Sequence, residues 1–109
     1  DDIVYNPANR MLARALSVPH VPPVFQEVGL IPVEDSAPVT ANVDGATAGL
    51  FQYDRVRETP NGRPVAASHN NAFAYEPINQ MFAFLASWRD AAAPTIIDPY
   101  TELMTPPLP

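Results

Sequence analysis

Apolar residues recur at helical spacing in the first part of the chain, directly after Asn6 and Pro7. Asn is a favoured helix N-cap, and Pro suits the first helical position because its missing N–H has no intrahelical partner there. Prolines from Pro19 onward stop the pattern. We therefore predict an amphipathic helix with one apolar face. Its members are Ala8, Met11, Leu12, Ala15 and Leu16.

A second helical pattern opens at Glu76-Pro77, continues to Trp88 and ends at an alanine run before Pro94. It is apolar over more than half of its circumference, and such a helix is normally buried against a sheet. We therefore predict a helix packed on more sheet than a chain of this length supplies, so the isolated chain should expose an apolar patch. The apolar residues are Ile78, Met81, Phe82, Phe84, Leu85 and Trp88.

Strand-forming residues lie between these two helices. Residues 47–56 are rich in β-formers, and Asn61-Gly62 is a strong turn signal that lets residues 65–68 return as a partner strand. Residues 24–28 also predict a short strand. The remaining stretches, residues 30–44 and 95–109, are interrupted by proline and have no period.

Length and composition point to part of a larger fold. The chain has 109 residues, enough for one domain, and its 14 prolines shorten every element. A net charge of −6, with six Arg and no Lys, argues against nucleic-acid binding, which needs clustered cations. The absence of Cys removes thiolate catalysis, and neither His has the spacing of a metal ligand pair. No apolar run is long enough for a transmembrane helix, and no cofactor motif is present.

His69 is the first candidate for catalysis, because it follows the predicted strand 65–68 and precedes the second helix. Imidazole titrates near neutral pH, as a general base must. A lone loop His more often makes ordinary hydrogen bonds, and His20, which lacks this context, is predicted to be structural. Asp1 and Asp2 are the second candidate, since a carboxylate can orient an imidazole. Taken alone, acids ahead of a helix more often complement its dipole, worth about 0.3–1 kcal/mol.

Four segments together resemble the α/β-hydrolases of the bacterial extracellular lipase and esterase type. Residues 1–6 resemble the turn that carries the triad acid, although Tyr5 stands where that motif has Pro. Residues 49–54 and 67–71 are similar to the last strand and the catalytic His loop, and residues 84–88 to the final helix. The resemblance implies an acid at Asp1 and a base at His69. It also implies an extracellular or cell-envelope location and a small-molecule ester or lipid substrate.

No Gly-x-Ser-x-Gly nucleophile elbow occurs among the four serines. Ser68 is no substitute, because strand neighbours point to opposite faces. We therefore expect residues 1–100 to form the C-terminal part of an α/β-hydrolase domain, followed by a Pro-rich tail over residues 101–109. The nucleophile would lie on an upstream segment or a partner chain, and this chain alone would be inactive. The alternative is a non-catalytic, acidic, Pro-rich secreted module for interaction or structure.

Overall fold

The computed structural model describes residues 6–109, in which short helices and strands are joined by long irregular segments. Proline explains the short elements, because it donates no backbone hydrogen bond to a ladder or a helix. In chain order the elements are α1 (Asn6–Ala15), β1 (Val39–Thr40), β2 (Arg55–Val56), β3 (Val65–Ala66), a 3₁₀ turn (His69–Asn71), α2 (Tyr75–Asp90), β4 (Thr95–Ile96) and α3 (Pro99–Glu102).

The predicted first helix is confirmed as α1, but most of its apolar stripe stays open to solvent. Leu12 and Leu16 are 59% and 63% exposed, whereas Ala13 is buried. Arg14 fixes the helix to the following loop, since its Nε donates to the Gly29 carbonyl at 2.7 Å. A small residue and a hydrogen bond therefore hold α1, and its large apolar side chains contribute little burial.

The predicted hairpin is confirmed, although its strands are shorter than expected. β2 and β3 pair antiparallel, and the Asn-Gly turn closes the loop between them with an N–H donated by Gly62. Regular pairing covers two residues of each strand. The register sets Arg55 opposite Ala66 and Val56 opposite Val65.

The strand predicted over residues 24–28 is wrong. The backbone N–H groups of Phe25 and Gln26 both donate to the Gln52 side-chain oxygen, at 3.1 and 2.9 Å. The Gln52 amide nitrogen returns a hydrogen bond to the Gln26 carbonyl at 2.8 Å. The Gln52 side chain thus makes the hydrogen bonds that a neighbouring strand would make. This stretch therefore forms no strand, although it is rich in β-forming residues.

The extended segment around His20 pairs with neighbours on both sides. The His20 N–H donates to the Pro32 carbonyl at 2.7 Å, and its carbonyl accepts from the Glu34 N–H at 2.9 Å. On the other side the Val21 N–H donates to the Leu50 carbonyl at 2.9 Å. Both bridges of His20 are parallel, and its side chain is fully buried. This place agrees with the structural role predicted for His20.

The C-terminal segment, which shows no pattern in the sequence, joins the core. β4 pairs antiparallel with β1, and α3 packs on α2. Tyr100 and Thr105 are both buried, and the Thr105 carbonyl accepts a hydrogen bond from Arg55 Nη2 at 3.2 Å. The partners in β1 and at Arg55 lie 50 or more positions away in sequence, so no local pattern indicates these contacts.

Helix α2 confirms the predicted helix. Its inner side carries polar contacts beside the half-buried Ile78 and Phe84: Glu76 is fully buried, Gln80 donates to the Ile97 carbonyl at 2.7 Å, and the Ser87 hydroxyl accepts from the Thr95 N–H at 2.8 Å. As predicted for the isolated chain, part of the apolar surface is left uncovered within residues 6–109. That surface stays open, with Met81 44%, Phe82 61%, Leu85 47% and Trp88 61% exposed. We call these four residues the outer face of α2.

The described elements are three helices and two small antiparallel sheets within residues 6–109. They are too few to test whether the chain is part of an α/β-hydrolase sheet, and that assignment stays a prediction. The predicted exposure of apolar side chains on the second helix is seen in the outer face of α2.

Candidate functional site

His69 stands in the short loop that joins β3 to α2, as the sequence predicts. Asn71 shapes this loop, because its side-chain oxygen accepts the Ser68 N–H at 2.7 Å and its amide nitrogen donates to the Ala66 carbonyl at 3.3 Å. The 3₁₀ turn then closes with the Ala72 N–H donated to the His69 carbonyl at 3.3 Å. The backbone of His69 is therefore fixed from both sides while its side chain is exposed.

A cavity of about 470 Å³ opens beside His69. That volume lies in the range of pockets that bind small organic molecules. Its apolar walls come mainly from two segments that are distant in sequence, residues 25–28 and 50–56, and polar residues of α1 and of the His69 loop form its rim. The described lining residues include Phe25, Val28, Leu50, Phe51, Tyr53 and Val56 on the walls, and Asn9, Arg10, Ser68, His69 and Asn71 on the rim.

An aromatic cluster supports the cavity walls. Phe25 meets Tyr100 edge-on, with ring centroids 6.0 Å apart, and Phe51 lies 5.0 Å from Tyr53. Tyr100 joins the two pairs, with its ring centroid 6.1 Å from that of Phe51. Such contacts contribute roughly 0.5–1.5 kcal/mol each beyond the area they bury. The walls are thus braced from behind by a residue that does not line the cavity.

Tyr100 is held by polar contacts as well as by packing. Its hydroxyl donates to the Arg55 carbonyl at 2.8 Å and accepts from the Asp54 N–H at 3.1 Å. The Arg55 guanidinium carbon lies 4.0 Å from the ring centroid, within cation–π range. Burial raises the pKa of Tyr100 to about 12. Tyr100 is therefore neutral at physiological pH, and its hydroxyl is engaged by backbone groups.

A buried ion pair fixes the start of α2, just after the His69 loop. Glu76 accepts from the Arg57 Nε at 2.6 Å, from the Arg57 backbone N–H at 2.7 Å and from the Thr105 hydroxyl at 2.8 Å. Arg57 also donates to the Leu103 carbonyl at 3.2 Å. We call Arg57, Glu76 and Thr105 the buried triad. It ties β2, α2 and the C-terminal segment together, and so anchors the far end of the loop that carries His69.

Hydrogen bonding overrides burial in setting the charge of Glu76. Burial by itself raises the pKa of a carboxyl, but hydrogen bonds from Arg57 and Thr105 outweigh it. The pKa of Glu76 therefore lies below its ordinary value, and the pair is ionised at neutral pH. Because a buried pair costs desolvation energy, it stabilises the fold only while both partners are charged and fully hydrogen-bonded.

The proposed partnership of Asp1 with His69 lies outside the described residues, as do both Asp1 and Asp2, so it stays a prediction. His20 is kept out of the cavity by its burial, and burial lowers its pKa. Its Nε2 has no hydrogen-bond partner within residues 6–109. A buried imidazole with a lowered pKa is neutral at physiological pH, which fits a structural residue.

Sequence reasoning did not identify Arg10, Gln52 or the buried triad as parts of this region. Arg10 reaches the cavity rim because α1 folds back over the chain, which the helical period does not specify. Gln52 lies among β-forming residues, and its role depends on backbone groups 26 positions away in sequence. The signal for Arg57 and Glu76 was present only as a pair of opposite charges 19 positions apart.

Comparisons with protein-family models, with curated proteins and with solved structures find no match for this chain. Within the described part of the chain, no three or more His, Asp or Glu side chains are grouped so as to hold a metal ion. None of the helices formed by residues 6–109 is long and apolar enough to cross a membrane.

Proposed function

We propose that the chain is the C-terminal part of a serine hydrolase of the carboxylic ester hydrolase or lipase type. The observation that supports it is the position of His69, exposed on the loop after β3 at the rim of a cavity with apolar walls. Ester hydrolysis needs a general base beside a pocket for an apolar substrate group. This rim offers both in one place.

In this proposal, a serine on an upstream segment or a partner chain attacks the carbonyl carbon of a small-molecule ester or lipid. His69 takes the serine proton and then gives it to the leaving alkoxide. Asp1 orients the imidazole and stabilises its protonated form. No cofactor takes part. The chain by itself carries no nucleophile and turns over nothing, and its proposed location is extracellular or in the bacterial cell envelope.

The outer face of α2 supports the proposal that another part of the enzyme packs here. A helix usually turns its apolar residues inward, whereas α2 contacts this fold partly through Glu76, Gln80 and Ser87 and leaves four large apolar side chains outside. Contiguous apolar surface of this kind marks an interaction site. The occupant that we propose is the upstream sheet that bears the nucleophile.

A serine-reactive fluorophosphonate tests the proposal directly. The native protein should be labelled on a serine outside these 109 residues, and its intact mass should exceed the 11.9 kDa of this chain. The purified 109-residue chain should remain unlabelled, because its serines lack an elbow. Labelling of any of its four serines, or a native mass of 11.9 kDa, would contradict the assignment.

Charge placed on the outer face of α2 should separate folding from assembly. Phe82→Glu should change the stability of the isolated chain by no more than about 0.5 kcal/mol, because the side chain is 61% exposed. The same change should abolish recovery of activity when the chain is combined with the upstream segment. Glu58→Gln, an exposed change away from α2, is the control. Normal activity of the Phe82 variant would show that nothing packs there.

The second candidate function is a non-catalytic interaction module, and the outer face of α2 favours it as well. Such a module would use the apolar stripe to bind its partner, and His69 would have no chemical role. The two functions differ in what the native complex does: a module would acquire a partner but no fluorophosphonate-reactive serine. Mutation of His69 would then leave every activity of the complex unchanged.

A further inference from the structure

We infer that the cavity beside His69 selects ligands that carry a carboxylate, and that the Arg10 guanidinium anchors this anion. The ligand class is an aliphatic half-ester of a dicarboxylic acid, with the carboxylate at Arg10, the chain along the apolar walls and the ester group toward His69. The choice of an ester rests on the proposed function. The anion site itself does not, because it follows from the charge and the shape of the cavity.

The charge at the cavity is opposite in sign to the net charge of the chain. Acids outnumber arginines by 12 to six overall, yet none of the described residues that line the cavity is acidic. The permanent charge that these residues contribute is Arg10. Low-dielectric walls focus the field of such a group into the cleft and attract ligands of opposite sign.

Arg10 is also free of competing partners among the described residues. Arg14, Arg55, Arg57 and Arg89 each donate to a carbonyl or a carboxylate of the chain. No acceptor within residues 8–109 lies in hydrogen-bonding position to the Arg10 guanidinium. A guanidinium presents a planar fork of donors that matches a carboxylate, and such charge-assisted pairs are about twice as strong as neutral hydrogen bonds.

The cavity leaves room for an aliphatic chain behind this anchor. Phe25, Val28, Leu50 and Phe51 line its walls, and they offer no charged side chain. The side-chain amide of Gln52, which also lines the cavity, is hydrogen-bonded at both ends to the backbone of residues 25–26. This section therefore presents no charged side chain to a ligand between Arg10 and the rim near His69.

Monomethyl suberate and dimethyl suberate form a matched pair of probes, because they differ by one methyl group and one charge. We expect the 109-residue chain to bind the half-ester at least tenfold more tightly than the diester in calorimetric titrations at low salt. Backbone amide shifts in NMR spectra should move at Leu50, Ala67 and Ala72, which line the cavity. Equal affinity for the two probes, or no saturable binding of the half-ester, would overturn the inference.

Two variants identify the anchor. Arg10→Gln should remove the preference for the half-ester, and Arg10→Lys should keep part of it, since lysine retains the charge without the fork. Arg63→Gln is the matched control, because Arg63 is exposed and does not line the cavity. An equal loss in the Arg10→Gln and Arg63→Gln variants would show that net charge alone governs binding, and would contradict the inference.

Binding and catalysis fail separately in this design. If His69→Ala leaves both the half-ester preference and the hydrolysis of esters by the complete enzyme intact, the anion site stands and the proposed function falls. If the complete enzyme hydrolyses both probes at equal kcat/KM, and the chain binds them equally, the proposed function stands and the anion site falls.

Discussion

His69→Ala in the complete enzyme should lower kcat for an activated ester such as p-nitrophenyl acetate by about 10⁴–10⁶-fold. The imidazole is proposed to carry the proton from the nucleophile to the leaving group, and alanine can do neither. The fold should survive, because the His69 side chain is exposed and the loop is shaped by Ser68 and Asn71. Stopped-flow or steady-state kinetics with a thermal melt of the same sample measures both effects.

Comparison with other positions sharpens this test. Asp1→Asn should reduce kcat by less than His69→Ala, because it leaves the base in place and affects only its orientation and its charged form. His20→Ala should leave kcat nearly unchanged in whatever fraction of the protein is folded, since His20 is buried and does not line the cavity. Wild-type turnover of the His69 variant, or loss of kcat confined to the His20 variant, would refute our assignment of the base.

Glu76→Gln should destabilise the isolated chain by about 3–5 kcal/mol, because it leaves the buried Arg57 charge without its counter-ion. The side chains of Arg57 and Glu76 are 10% and 0% exposed, so water cannot replace the lost partner. Urea unfolding followed by circular dichroism gives the free energy. Thr105→Val, which removes one hydrogen bond of the buried triad, should be milder at about 1–3 kcal/mol. It keeps the test usable if the first variant does not fold.

The stability of the chain should also depend on pH through the ionisation of Glu76. The pKa of Glu76 is lower in the folded chain than its ordinary value of 4.5, so the ion pair stabilises the fold above pH 4.5. That contribution should be lost as the pH falls from 4.5 through the folded pKa. Glu58→Gln, an exposed substitution with the same change of charge, should keep this acid-limb loss. Equal stability of the Glu76 and Glu58 variants at pH 7 would argue against the buried triad.

Elements that follow from local spacing were predictable from the sequence. The helical period predicted α1 and α2, and Asn61-Gly62 predicted that β2 and β3 pair. His69 stands after a strand and before a helix for the same reason, since both elements are local. The wrong strand over residues 24–28 shows the limit, because β-propensity measures fitness for a half-buried ladder and not the presence of one.

The orientation of α2 could not be predicted, because periodicity defines a stripe without saying what covers it. The inner side of α2 is selected by partners that the period does not contain: the Arg57 guanidinium for Glu76, and the Ile97 carbonyl for Gln80. Those partners lie 19 and 17 positions away in opposite directions. The candidate site depends on similar distant contacts, so the sequence located the His69 loop but not the cavity beside it.

The buried triad also determines which C-terminal residues are held by side-chain hydrogen bonds. Leu103 and Thr105 are tied to Arg57 and Glu76, so a flexible tether can begin only beyond Thr105. The next four residues, 106–109, read Pro-Pro-Leu-Pro, a sequence that favours the stiff polyproline conformation at about 3.1 Å per residue. A fluorophore or affinity tag fused after Pro109 would therefore follow a stiff segment of about 12 Å rather than a flexible linker.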